Sequence, residues 1–568
     1  MTAQLRRLLF QPISIMPLVF FRVAFGGVMI WEVWRYFRYN RIERYYMDPI
    51  FNFHYYGFHW VKPFPGDGMN IVFLALAFLA GAVIVGFAYR VSTTVVWLLV
   101  TYIFLLDETQ YLNHFYLMSL ISFLMIFVPA HRFLSVDSWL RPSIHTPAVP
   151  GWSLWLLRGQ MTVVYVYGGL AKINTDWLRG EPMRGWLANR TDFPAIGHLF
   201  TEEWMVFAFS YGGLLFDLFI VPLLLWRWTR IPALLIAAGF HWTNDTLFNI
   251  GVFPVFAMAA TLIFLPAHWF KLRLRPPARL ASFAPRMTAA RWAVAGLMGV
   301  YVAVQLLVPL RHHTYPGVTA WTDQGHNLSW RMKLRSKTGY VYVYYTNPTT
   351  GVTTLSPTWE VLNDRQTRKM SDNPDMLLRY AHWLAAEYET DTDMPADIRY
   401  WSMMGLNNRA RQLLIDPTAP LNREADTLRG ADWILPLVQP PAPHPGYPAL
   451  LISRRQEGAM LLINMTEYAF PLGDVTLHDS DTEYTFADHN PTLAVQHCAL
   501  MYEHDAALVQ AAPICQLNSW TQTELPAGTF DVALGGEIVT TCDGPTCVVV
   551  DQRYADPPEP ILKAFAAN

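Results

Sequence analysis

From Pro17 to Leu310 the chain alternates long apolar runs with short polar connections, and beyond them it reads like an ordinary polar protein. Apolar runs of roughly 17–25 residues have the length of a bilayer crossing. By that measure the candidate spans are Pro17–Phe37, Met69–Ala88, Val91–Leu106, Tyr111–Val128, Trp152–Ile173, Trp204–Trp226, Ile231–Trp242, Leu247–Leu265 and Trp292–Leu310. The seventh is short, which predicts a tilted span or a broken-helix arrangement shared with the eighth. After the ninth run the pattern changes. Gly339–Tyr344 and Thr482–Phe486 carry β-branched and aromatic residues near turn signals, and Gly535–Val550 reads as a strand pair around a Cys-Asp-Gly-Pro turn. Pro374–Thr390 has helical spacing. The fold expected is a polytopic all-α transmembrane bundle of about nine helices over residues 1–311, followed by a mixed, β-rich extramembrane domain over 312–568.

Charge gives the bundle a direction, because Lys and Arg concentrate on the cytoplasmic side. The N-terminus carries Arg6 and Arg7, and the even-numbered connections carry Arg90, then Arg132 and Arg141, then Arg227 and Arg230. The eighth is strongly basic, with Lys271, Arg273, Arg275, Arg279 and Arg286. Odd-numbered connections are mixed or acidic, as in Asp107-Glu108 or the stretch with Asp176, Glu181, Glu202 and Glu203. The first, with Arg38, Arg41 and Arg44, is an exception. On balance the N-terminus is expected inside and the C-terminal domain outside. The first ten residues show no small-residue cleavage site, so no cleavable signal is expected.

Composition sharpens this. Only 15% of the 568 residues are charged and 53% are hydrophobic, against about 25% charged in soluble domains. The net charge of −2 supplies no basic surface for nucleic acid. All four cysteines, Cys498, Cys515, Cys542 and Cys547, lie in the C-terminal domain. One or two disulfides in an oxidising compartment would account for that placement, as would four ordinary thiols.

Ionisable groups inside a membrane mark functional sites by default. Arg22 and Glu32 lie in the first span, and Asp107, Asn113, His114 and Tyr116 lead into the fourth. Tyr167, Gly168, Gly169 and Lys172 end the fifth, Asp217 is inside the sixth, and His241, Asn244 and Asn249 stand near the junction of the seventh and eighth. Lys172 follows eleven uncharged residues, Met161 to Ala171. Desolvated there it could serve as a neutral amine base, or it could snorkel to the interface. Gly168-Gly169 would let a helix or a flat ligand approach closely. His114 could bond a substrate oxygen or a neighbouring helix, and Asp217 could pair with a buried cation or stand as a neutral acid bonded to backbone. His241 and Asn244, about one turn apart, could share a functional face or cap a hairpin. The histidines are too scattered for a metal site, and none is expected.

At these residues the chain resembles the vitamin K-dependent γ-glutamyl carboxylases, including their bacterial relatives. The blocks are Leu106-Asp107 with Asn113-His114-x-Tyr116-Leu117; Gly169-Leu170-Ala171-Lys172-Ile173-Asn174-x-Asp176-Trp177-x-x-Gly180; and Phe216-Asp217-Leu218. Further along come Phe240-His241-x-x-Asn244-x-x-Leu247-Phe248-x-Ile250-Gly251-x-Phe253-Pro254, then Ser329-Trp330-x-Met332. Weaker ones are Pro374-x-Met376-Leu377-x-x-Tyr380-Ala381-His382, and Asn408-Arg409 leading to Ile415-Asp416-Pro417. The resemblance ends near Leu421.

The resemblance implies a membrane enzyme that uses vitamin K hydroquinone or a related naphthoquinol, O2 and CO2. An enzyme lysine deprotonates the quinol, and its oxidation to the epoxide generates a base strong enough to take a glutamyl γ-hydrogen. Lys172 matches that lysine, and His114 matches a histidine that stabilises the developing anion. The implied quinol or substrate pocket includes Asp107, Asn113, Tyr116, Tyr167, Asp217, His241 and Asn244. Trp321, Ser329, Trp330 and Arg335 fall in the region that holds the glutamyl substrate. Animal members carry a histidine shortly after the Ser-Trp block, where Lys333-Leu334-Arg335 stand here. An arginine can pair with a glutamate carboxylate, but the departure leaves the acceptor open. The expected partners are the bilayer and an exported glutamate-containing protein. The extramembrane domain would face the periplasm in a bacterium, or the lumen of the endoplasmic reticulum. Two other readings stand beside this: a quinol-oxidising relative with a different acceptor, and a non-catalytic receptor or transporter.

Overall fold

The computed structural model describes residues 2–437 apart from 249, 271–286, 349–352, 357 and 410, and beyond 437 the backbone of strands between 449 and 550. The chain divides into two compact units. The first takes in Met1–Ile173, Ala208–Thr314 and Gly325–Met332; the second takes in Asn174–Phe207, Tyr315–Gln324 and Lys333–Asn568.

The predicted apolar runs fall largely on helix, but they are not nine equivalent spans, and the run from Leu247 straddles the end of one helix and the start of the next. Met16–Arg38, Gly68–Val85, Tyr89–Leu106, Glu203–Leu225 and Ala289–Thr314 are the five helices among the described residues long and apolar enough to cross a membrane. Asn113–Phe127 and Phe253–Phe264 are shorter apolar helices. Trp152–Ala171 and Arg230–Phe248 have the length but are diluted by polar groups such as Arg158, Gln160 and Asp245. The expected break after Trp242 is also displaced. Helix Arg230–Phe248 runs unbroken through His241, Asn244 and Asp245, and the next helix starts at Phe253 with Pro254 in its first turn. A hydropathy run stops at polar side chains, whereas a helix satisfies its own backbone whatever the side chains are. His241 and Asn244 are therefore interior positions of a helix and not hairpin caps.

Local chemistry sets the helix ends. Pro17 opens Met16–Arg38, where its missing N–H is no loss. Gly86 closes Gly68–Val85 at φ 65°, a left-handed conformation that glycine adopts without strain. The next helix is capped by Asp137, whose carboxylate accepts from Ala88 N at 2.8 Å and Tyr89 N at 2.9 Å. Arg22 is buried and donates to the carbonyls of Ala130 at 2.7 Å and Leu134 at 2.6 Å. These bonds give Arg22 a structural task, tying the first long helix to a connecting loop. At Gly26 a β-carbon would meet Ala80 O at 2.8 Å, so that helix packs closely on Gly68–Val85. Leu18, Phe21, Phe25, Leu117, Ile121 and Leu157 fill the core between helices.

The second unit is built on an antiparallel sheet in which Thr353–Leu355, Lys337–Thr346, Asp397–Leu406 and Gln412–Leu413 lie side by side in that order. Its central pair keeps one register throughout, from Lys337 opposite Leu406 to Thr346 opposite Asp397. Helix Pro374–Thr392 starts with Asn373 as cap and buries Leu377, Tyr380, Ala381 and Leu384, the spacing of one helical face. Tyr400 Oη donates to Leu377 O at 2.8 Å, joining that helix to the sheet. The strand and helix expected at 339–344 and 374–390 are both present.

Further along, the expected hairpin over 535–550 does not form as one pair. Glu537–Gly544 pairs with Gly528–Leu534, and Val548–Val550 pairs with Leu500–His504 and Gln522–Glu524. Leu534 stands opposite Glu537 at the end of that pair. Cys498 stands opposite Cys515 in backbone register. The side chains of Cys498, Cys515 and Cys542, and the whole of Cys547, lie outside the described residues, and so does the disulfide expectation.

Candidate functional site

Lys172 caps the C-terminal end of helix Trp152–Ala171 and is only 6% exposed. Its Nζ donates to Asp217 Oδ2 at 2.5 Å and to Gly168 O at 3.1 Å. Asp217, inside helix Glu203–Leu225, is buried too. The lysine therefore turns inward to a partner, where a snorkelling lysine would reach for solvent. Gly168 and Gly169 make room for this. A β-carbon at Gly169 would lie 2.6 Å from a Leu218 methyl, and one at Gly168 would lie 3.2 Å from Asp217 Oδ2. Leu218 of helix Glu203–Leu225 thus packs against Gly169, and Met332 Cε comes closest at Gly168, 3.0 Å from where a β-carbon would stand.

Aromatic and imidazole rings cluster on neighbouring positions of these helices and of helix Arg230–Phe248. Tyr165, seven residues and two turns before Lys172, places its Oη 3.3 Å from His241 Nε2. Phe216, the neighbour of Asp217, stacks on Phe240 at 3.7 Å between centroids and meets the Tyr165 and His241 rings edge-on. The Phe253 ring lies 5.9 Å from His241 and 6.0 Å from His114, so one phenyl ring bridges the two histidines. Both histidines are buried, and His241 Nδ1 has no hydrogen-bond partner among the described residues. Asn244 is half-buried one turn beyond His241.

Other expected pocket residues have local bonding tasks. Asp107 Oδ1 accepts from Thr109 N at 2.8 Å and from Thr109 Oγ1 at 2.7 Å, closing a turn. Asn113 Oδ1 accepts from Tyr111 Oη at 2.9 Å, and Tyr167 Oη donates to Leu306 O at 2.6 Å. Tyr116 stacks on Trp330 at 4.9 Å and bonds Gln305. Trp330 is fully buried, and Ser329 Oγ donates to Gly325 O. Glu32 pairs with Arg35 at 2.7 Å. Gly251, at φ 82°, leaves space for that arginine, because a β-carbon there would meet Arg35 Nη2 at 2.9 Å. A small cleft of about 40 Å³ opens beside Phe115, the neighbour of His114. Its lining includes Tyr36, Tyr46 and Phe73, with Glu32 and Gln110 as its polar groups.

The remaining expected residues belong to the second unit. Trp321 is buried and donates through Nε1 to Leu435 O at 2.7 Å. Arg335 Nη2 lies 2.7 Å from Asp323 Oδ1, and Lys337 Nζ lies 2.7 Å from Asp323 Oδ2. The Asn174-x-Asp176 block meets the Asn408-Arg409 block here. Arg409 binds Asp176 through both terminal nitrogens, at 2.6 and 2.7 Å, and Asn407 adds a bond at 2.8 Å. Asn407 and Asn408 hold φ of 51° and 63°, a left-handed turn that asparagine tolerates better than most residues. Asn408 donates to Glu181 at 2.7 Å, and Arg184 reaches the same carboxylate at 3.1 Å. Burial pushes the Glu181 carboxyl up to about 7 against the opposing pull of Arg184.

Sequence reading gave Tyr165 no role and left Phe253, part of a family-like block, outside the pocket, because uncharged rings give little polar signal. The spacing from Tyr165 to Lys172 could have revealed the first. Among the described residues no three His, Cys, Asp or Glu side chains group as metal ligands.

A helical membrane-type unit with a buried Lys–Asp pair and a cluster of histidines and aromatic rings, followed by a sheet-based unit, defines the class. Comparison with known families narrows it. Residues 10–269 match the HTTM domain, and residues 290–440 match the lumenal domain of vitamin K-dependent gamma-carboxylase. The two matches follow one another along most of the chain, and the chain belongs to the vitamin K-dependent γ-carboxylase family. No solved structure matches it.

Proposed function

We propose that the protein couples oxidation of a reduced naphthoquinone of the vitamin K type to γ-carboxylation of glutamyl residues in an exported protein. The observation that carries this reading is the buried ion pair of Lys172 and Asp217 at 2.5 Å, set among apolar and aromatic side chains. The residues fit a lipid-soluble quinol. Rings of Phe216, Phe240 and Phe253 offer flat apolar walls, Lys172 offers a proton acceptor, and His114 and His241 offer hydrogen bonds.

When bound, the quinol supplies with O2 the oxidative chemistry that yields a base strong enough for a glutamyl γ-hydrogen, and CO2 supplies the new carboxylate. The chain's part is to move one proton and hold charge. Lys172 Nζ can accept a quinol hydroxyl proton once its own has passed to Asp217 Oδ2 across their hydrogen bond. His114, buried against Phe115 and Phe253, is the donor for the negative oxygen left behind. Excluding water strengthens both interactions. The glutamyl carboxylate is assigned to the Arg335 region of the second unit, where guanidinium geometry suits it. The apolar helices fit an integral membrane protein whose second unit is extracytoplasmic, periplasmic in a bacterium or lumenal in the endoplasmic reticulum.

The test is epoxide formation by purified protein given vitamin K hydroquinone, O2 and labelled bicarbonate, with and without a glutamyl peptide. Lys172→Ala is run beside it. Lys172-dependent epoxide with label in the peptide is the expected result. Epoxide without label would transfer the reading to a quinol oxidase with another acceptor, and no epoxide from folded protein would overturn both.

A further inference from the structure

The end of the helical unit remote from Lys172 gathers guanidinium groups that no carboxylate balances. Arg158 stands on helix Trp152–Ala171, fourteen residues before Lys172, which is about 21 Å at 1.5 Å per residue. Arg227 and Arg230 follow the last turn of helix Glu203–Leu225. Consecutive membrane crossings run in opposite directions, and these two helices meet where Gly169 faces Leu218. Arg158 is eleven residues back from Gly169 and Arg230 twelve residues on from Leu218, so both lie toward the same end. Their charges act on one another.

Arg158 and Arg230 each use one edge on a helix end and keep another edge open. Arg158 Nε donates to Ile263 O at 2.8 Å, and its guanidinium carbon lies 5.0 Å from the Trp155 ring centroid and 5.8 Å from that of Phe264. Arg230 Nε and Nη2 donate to Leu224 O and Leu225 O at 2.8 and 2.9 Å, closing the carbonyl end of helix Glu203–Leu225. Those bonds leave both terminal nitrogens of Arg158, and Nη1 of Arg230, without a hydrogen-bond partner among the described residues. None of these three atoms is buried. Arg227 is exposed, its guanidinium carbon 4.4 Å from the Trp228 ring centroid. Among the described residues no carboxylate lies within ion-pair distance of any of the three arginines. Trp226, Trp228, Ile231 and Leu235 beside them are largely exposed.

We infer that Arg158, Arg227 and Arg230 form a site for the phosphate of an anionic phospholipid, whose chains lie against Trp226, Trp228, Ile231 and Leu235. Neighbouring cations without acids are costly at a membrane boundary, and an anion between them offsets their repulsion. Guanidinium N–H groups in a fixed fork suit phosphate oxygens. The apolar surroundings select a lipid over free phosphate, because tryptophan settles at headgroup level while its aliphatic neighbours meet acyl chains. The charge bias of the connections assigns this end to the inner leaflet, where anionic lipids attract basic groups. The site is independent of the quinol chemistry at Lys172.

Titration of the detergent-solubilised full chain with fluorescent phosphatidylglycerol, and with phosphatidylcholine carrying the same chains and label, tests this. Phosphatidylglycerol is expected to bind at least about tenfold more tightly, since several basic side chains act on its net charge together. Arg158→Gln/Arg230→Gln should abolish that preference. Both side chains also bond helix ends, so melting of the double variant is followed beside binding. Arg227→Gln decides the matter if the double variant fails to fold, because Arg227 makes no hydrogen bond among the described residues. A several-fold weaker preference is expected there, with the parent's melting temperature. Equal binding of the two lipids, or an unchanged preference in either folded variant, would overturn the site. Displacement of the bound lipid by millimolar inorganic phosphate would overturn the lipid assignment in favour of a free anion.

Discussion

Lys172 Nζ and Asp217 Oδ2 stand 2.5 Å apart, 45 residues apart in the chain, with both side chains under a tenth exposed. Such a pair stabilises the fold only while both members are present, because a lone buried charge is costly.

Lys172→Ala is expected to lower quinol oxidation by roughly 10²–10⁴-fold, the usual loss on removing a general base. Asp217→Asn should lower it as well, since the proton has lost its relay. Each single change should also destabilise the helical unit by about 3–5 kcal/mol. The Lys172→Ala/Asp217→Ala double variant should recover part of that loss. Thermal melting in detergent beside epoxide assays checks both claims; an active Lys172→Ala enzyme would end the base assignment.

Gly169→Ala should loosen the contact between helices Trp152–Ala171 and Glu203–Leu225, because the new methyl lies 2.6 and 2.8 Å from Leu218 side-chain atoms. The expected cost is about 1–3 kcal/mol. Leu218→Ala in the same chain should return some of it. A Gly169→Ala protein that melts like the parent would show that the helices can separate without penalty.

The Glu181 carboxyl rises from 4.5 to about 7 because burial outweighs Arg184 and the Asn408 hydrogen bond. The folded state therefore holds this proton more tightly than the unfolded one. Its contribution is complete below the unfolded value and is lost as pH rises through about 7. The full swing is at most about 3 kcal/mol. Glu181→Gln should flatten the dependence of melting temperature on pH across that window. Parallel profiles for parent and variant would show that another group carries it.

Arg409 grips Asp176 with two nitrogens, at 2.6 and 2.7 Å, and both side chains are largely buried. Arg409→Lys keeps the charge but not the fork, so it should behave more like Arg409→Ala than like the parent. The expected loss for Arg409→Ala is about 3–5 kcal/mol. Limited proteolysis within 174–207, together with melting, reads it out. Full protection in Arg409→Lys would show that charge alone suffices.

Much of the architecture was legible in the chain because each signal is local. Apolar runs mark helices, the β-branched and aromatic residues of Gly339–Tyr344 mark a strand, and the spacing over Pro374–Thr390 marks a helix. Lys172, Asp217, His114 and His241 stood out because each is a polar residue where polarity is costly. Hydropathy misplaced the end of helix Arg230–Phe248, since it registers polar side chains rather than backbone bonds. The expected hairpin over 535–550 failed because local turn residues do not select pairing partners.

What the sequence determined by itself was therefore the run of elements and the membrane character, both set by neighbours along the chain. Pairing was decided only in three dimensions. Lys172 found Asp217 rather than solvent, Tyr165 found His241, Arg409 found Asp176, and Arg22 went to loop carbonyls. Each partnership joins residues from 45 to 233 positions apart. A buried charge or polar ring is stable only beside its complement, and only packing of the helices and strands brings that complement within hydrogen-bond distance.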